Sequence, residues 1–172
     1  MPKFKNVFFI KLVIDLIITA LIIFSLFFYW QSLFEQALGC NYFGADSGRY
    51  SIEKGMMLLE AGWLGVLAHN IAWFANLSYF LSLIILFIWL ILKINKKELK
   101  LISKLLFWTC MASIILGLDT YGLFLDRKMG YQKNVEIYHG FYLWILSFAL
   151  FFIASCFIRW RSGRDSNPRP PA

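Results

Sequence analysis

Four apolar runs, each about as long as a bilayer is thick, constrain this chain more than any other feature. A helix needs roughly 20 residues to cross the hydrocarbon core of a membrane. Runs of that order fall at about 7–30, 71–92, 105–125 and 136–158. The chain is 60% hydrophobic and 19% aromatic, more than a soluble core would use. The expected fold is therefore all-α: an integral membrane four-helix bundle over residues 1–161.

Charge fixes the expected orientation. Lys and Arg number three in the N-terminal segment, five between spans two and three, and four at the C-terminus; the other two loops hold five. The positive-inside rule then places both termini in the cytoplasm of a plasma or inner membrane. The net charge of +7 thus reads as a topology signal. There is no Gly-rich phosphate loop and no aromatic–basic platform, so nucleic acid is not an expected partner. The bilayer itself is one, and a membrane-protein partner or a homo-oligomer is the other.

The segments between spans complete the outline. Lys3, Lys5 and Lys11 open span one, and Tyr29 and Trp30 read as interfacial aromatics closing it. Ala37-Leu38-Gly39-Cys40 faintly resembles a lipoprotein cleavage box. Asp15 and the polar residues Gln31, Ser32, Glu35 and Gln36 argue instead for an uncleaved anchor. Residues 41–55 read as a polar outer connection turned by Gly44, Asp46, Ser47 and Gly48. Helical period persists from Met56 to Leu92, roughly 55 Å at 1.5 Å per residue and too long for one straight crossing. Residues 56–68 are therefore expected as an outer, interfacial helical extension before span two, with a kink near His69 and Asn70.

The tail, 162–172, reads as disordered. Its Asp165-Ser166-Asn167 can be encoded as GAT-TCG-AAC, the complement of the T-loop of tRNA genes. The expectation is a translated antisense tRNA-gene end; non-complementary codons there would overturn it.

Of the three cysteines, Cys40 reads as lying in an outer loop and Cys110 and Cys156 in the inner halves of two spans; there is no Cys-x-x-Cys, and Cys40 has no partner on its own side. That argues against a disulfide framework.

Small and polar residues at helical spacing mark the faces expected to meet other helices. Gly62, Gly65, His69, Ala72 and Asn76 form one such seam, and Gly140 and Ser147 lie on another. Ionisable residues near these faces are the candidates for chemistry. His69 and His139, counted from the cytoplasmic ends, come to similar depth, with Asp119 about a turn deeper and Glu136 a turn above His139. Two histidines with a carboxylate suit a transition metal, and two histidines from different spans suit a haem b. The competing reading leaves both histidines at the membrane–water interface, bonded to loop backbone. Asp15 and Asp119, at different depths, form a candidate ion path; a local Lys11–Asp15 pair is the simpler use of the first. No nucleophile elbow or zinc-protease motif occurs. A non-enzymatic accessory, interaction or small transport protein is the function expected first, and a metal- or haem-binding redox protein second.

Overall fold

The computed structural model describes residues 2–41, 50–61, 71–94, 99–119 and 135–165. In chain order the elements are α1 (Pro2–Phe34), β1 (Gln36–Asn41), β2 (Tyr50–Lys54), α2 (Gly55–Ala61), α3 (Phe74–Ile94), α4 (Lys100–Leu118), β3 (Val135–Ile137) and α5 (His139–Asp165). Among the described residues, four helical stretches are long and apolar enough to cross a membrane: Phe9–Phe34, Phe74–Ile94, Lys100–Leu118 and His139–Ser162.

The distribution of side chains is inverted relative to a water-soluble bundle. Phe24, Phe27, Ile84, Phe87 and Trp108 point outward. Ser25, Ser82, Ser113, Ser147 and Ser155 are fully buried, beside Ala75 and Ala154. Small residues bring helix backbones close where lipid supplies no hydrophobic drive between helices. Buried serines in such a setting need acceptors, and neighbouring carbonyls of their own helices supply them: Ser82 donates to Ser78 O at 2.8 Å, Ser113 to Thr109 O at 3.0 Å and Ser155 to Phe152 O at 2.7 Å.

Helix α5 packs along α1 on one side and α4 on the other, and α4 packs on α3. Tyr29 of α1 stacks on Tyr79 of α3 and closes the ring of four. The axis is filled by Tyr79, Phe148, Phe151 and Leu106. Between α3 and α4, Ser78 Oγ donates to Thr109 O at 2.8 Å.

One end of the bundle carries a three-stranded antiparallel sheet, ordered β2-β1-β3. Cys40 pairs with Ser51 on one side and with Val135 on the other. This end forms by close approach of backbones. A Cβ at Gly55 would lie 2.1 Å from Ser32 O, and one at Gly140 would lie 2.8 Å from Gln36 O. Glycine at both positions lets α2 and α5 seat against the α1–β1 junction. Gly55 N donates to Glu35 O and Tyr138 N to Ala37 O. Trp73 Nε1 donates to Leu59 O at 3.0 Å, holding the start of α3 to α2.

Several expected boundaries move. Helix α1 continues past Trp30 to Phe34; Ser32 donates to Tyr29 O inside it, and Gln31 donates to Glu35 just beyond its end. Tyr29 turns inward, buried, while Trp30 remains exposed. Span two begins at Phe74, with Ala72 and Trp73 in a turn. Span three is helical to Leu118, and residues 120–125 lie outside the described residues. Span four begins at His139, and Glu136 belongs to β3, paired with Gly39. The expected shared helical face of Glu136 and His139 therefore does not form: the backbone there is extended. Of the extension at 56–68, Gly55–Ala61 is helical; residues 62–70, with Gly62, Gly65, His69 and the expected kink, lie outside the described residues. The connection at 41–55 is partly strand, and α5 continues into the tail as far as Asp165.

Candidate functional site

Two polar clusters tie the helices together at different depths. In the first, Asn76 of α3 accepts two hydrogen bonds at one oxygen, from Tyr29 Oη at 3.0 Å and from Trp144 Nε1 at 2.8 Å. Both partners present donors, which fixes the amide with Oδ1 toward them. Asn76 is 7% exposed. A second node lies beside it. Ser25 Oγ donates to Ser147 O at 2.8 Å and is 2.8 Å from Tyr79 Oη. A serine hydroxyl has one proton, so the Tyr79 hydroxyl is the donor in that second bond.

Aromatic rings enclose both nodes. Tyr29 and Tyr79 stack with centroids 4.7 Å apart and planes 13° apart. Phe148 lies 5.1 Å from Tyr79 and 4.8 Å from Trp144, and Phe151 lies 5.5 Å from Tyr79. Tyr29, read as an interfacial aromatic from its place near a span end, is an inner residue. Its spacing of four from Ser25 is the signal that finds it, since Ser25 and Tyr29 share one face of α1.

The second cluster lies at the other end, where α1 begins and α3 and α5 finish. Asp15 pairs with Arg161 of α5, and Lys93 of α3 lies 3.5 Å from the same carboxylate oxygen. Thr19 donates to the Asp15 backbone carbonyl at 2.8 Å. The Asp15 carboxylate thus bonds to other helices. Lys93 Nζ also sits 4.9 Å from the centroid of the Trp89 ring, and Arg159 lies 4.5 Å over Phe107. Trp89 Nε1 is buried with no hydrogen-bond partner among the described residues.

The remaining candidates are spread out. Asp119 is fully buried just past the end of α4. It belongs to the sheet end of the bundle, since Gly117 meets Ile145 near the start of α5. Roughly 24 Å of α5 separates Ile145 from Arg161 at 1.5 Å per residue, so Asp15 and Asp119 occupy opposite ends. His139 is the exposed first residue of α5. His69 lies outside the described residues, and so does the side chain of Glu136. Among the described residues, no three His, Cys, Asp or Glu side chains gather as metal ligands would. The donor set imagined for a metal or haem is not assembled by those residues alone. Ala72 is buried in the turn before α3; Gly140 and Ser147 are buried on α5, Gly140 against the Gln36 carbonyl. Cys110 and Cys156 are free thiols.

Compared with known proteins, the chain matches no family model, no curated protein and no solved structure.

Proposed function

We propose that this multi-pass membrane protein is a non-enzymatic accessory protein, acting by holding a membrane-protein partner or a second copy of itself. The observation that carries this reading is a group of exposed apolar side chains outside the four long helices: Ile52 on β2, and Met56 and Met57 on α2. Flexible, polarisable methionines suit contact surfaces that must adapt to a partner. The bundle interior supports the same reading. Its buried serines, tyrosines and Asn76 serve interhelical bonds, and bulky rings fill its axis. A transport role has less support from such a plugged axis. The excess of Lys and Arg around the termini and the middle loop supports a plasma or inner membrane location with cytoplasmic termini, which puts the sheet outside.

The test is site-specific photocrosslinking in intact cells, from Met57 and, as a lipid-facing control, from Leu26 of α1. The expected result is one protein adduct of fixed mass from Met57 and lipid adducts from Leu26. An impermeant thiol reagent should label Cys40 in the same cells without permeabilisation. Lipid adducts alone from both positions would overturn the partner role. The rival reading is a haem or metal protein using His69 and His139 with Asp119 or Glu136. An absorbance band or stoichiometric metal in purified protein, lost in His69→Ala and His139→Ala, would replace the present proposal with that one.

A further inference from the structure

The C-terminal half of α5 carries an apolar groove of about 370 Å3 lined by Ile153, Cys156, Phe157 and Trp160. These residues fall on one stripe of the helix, opposite the buried face that holds Phe151, Ala154 and Ile158. The groove therefore opens toward lipid. Arg159 and Arg161 precede and follow Trp160 by one residue, about 100° to either side of it around the helix. They bracket the mouth of the groove. Arg159 lies over Phe107, and Arg161 pairs with Asp15, which also holds Lys93. Arg161 and Lys93 thus share one carboxylate on the α1 side of α5, while Arg159 lies on the α4 side. Arg159 keeps its positive charge, exposed, directly beside an apolar channel.

We infer that this groove is a binding site for an anionic phospholipid, with one acyl chain along Ile153, Cys156, Phe157 and Trp160 and the phosphodiester at Arg159, the exposed arginine on its α4 flank. Guanidinium donors are arranged in a planar fork that matches phosphate oxygens. Basic pockets at the ends of spans bind anionic lipid headgroups, and here an apolar wall for the acyl chain adjoins the charge. The occupant is a whole lipid: free phosphate would gain nothing from the groove, and a neutral lipid nothing from Arg159.

The experiment is native mass spectrometry of the full chain released from mixed micelles, titrated with dioleoyl-phosphatidylglycerol, dioleoyl-phosphatidylcholine or inorganic phosphate. The expected result is one retained phosphatidylglycerol at about tenfold lower concentration than phosphatidylcholine, with no effect of phosphate. Arg159→Gln leaves the Asp15 pair intact and should cut the preference about fivefold, the share of one basic group near a lipid surface. Cys156→Phe fills the groove from its lipid side and should abolish retention; Ile153→Phe repeats the test should Cys156→Phe not fold. Equal retention of both lipids would overturn the site. So would a preference for phosphatidylglycerol unchanged in Arg159→Gln and in the filled variant, which would trace it to net charge alone. Displacement by inorganic phosphate would overturn the lipid assignment in favour of a simple anion site.

Discussion

Asn76 and Asp15 tie together the same three helices with opposite chemistry. Asn76 sits on α3 and bonds to Tyr29 of α1 and Trp144 of α5. Asp15 sits on α1 and bonds to Lys93 of α3 and Arg161 of α5. The neutral tie is buried, with Asn76 at 7% exposure, while the Asp15 side chain is 41% exposed. A bare charge in hydrocarbon costs far more than an amide, so charge is used near the end of the bundle, where lipid headgroups and water can share it. An amide needs only its hydrogen bonds and can go deep. The position of each tie follows from its desolvation cost.

The sharpest way to break this comparison is to remove the neutral tie. Asn76→Leu keeps the branched shape but leaves the Tyr29 hydroxyl and the Trp144 indole N–H without their acceptor in a dry interior. Each orphaned group costs about 1–3 kcal/mol, so a loss of about 3 kcal/mol is expected from denaturant unfolding in micelles. A loss below about 1 kcal/mol would mean that both donors find other acceptors and that Asn76 is not the tie. The second node tests the same point with a built-in rescue. Ser25→Ala strands the Tyr79 hydroxyl and should cost about 2 kcal/mol. Adding Tyr79→Phe removes the stranded group and should recover about half of it. Losses that simply add would show that the two residues act independently.

Much of the architecture was readable from the amino acids because hydrocarbon imposes one strong rule, a long apolar run for each crossing. The four runs reappear as α1, α3, α4 and α5. The sheet was not readable. Its strands are three to six residues long, and β1 meets β3 nearly a hundred residues away in sequence, a pairing that no local pattern announces. The same blindness moved Glu136 from a helical face to a strand. Asn76 stood out as a polar residue on a small-residue seam, but its partners did not. Tyr29 looked interfacial because Tyr and Trp at a span end are usually read that way. Only the onward course of α1 to Phe34 places Tyr29 a full turn inside the bundle. Asp15 was visible as a charge in an apolar run. Its nearest partner by sequence is Lys11; Arg161 reaches it because α5 runs antiparallel along α1 from the Gly140–Gln36 contact down to Asp15.

The smallest expected effect falls on the charged tie. Asp15→Asn removes the carboxylate that faces Arg161 and Lys93, yet all three side chains are partly exposed and the cations can turn to headgroups or water. Half-exposed ion pairs of this kind contribute about 0–1 kcal/mol. The expected loss is therefore below about 1 kcal/mol, far short of Asn76→Leu in the same micelles. It should also shrink as salt is raised toward 1 M, where the screening length falls to about 3 Å. A salt-independent loss as large as that of Asn76→Leu would place Asp15 in a low-dielectric setting. The two ties would then differ in chemistry but not in environment, and depth would no longer explain why one is an amide and the other an acid.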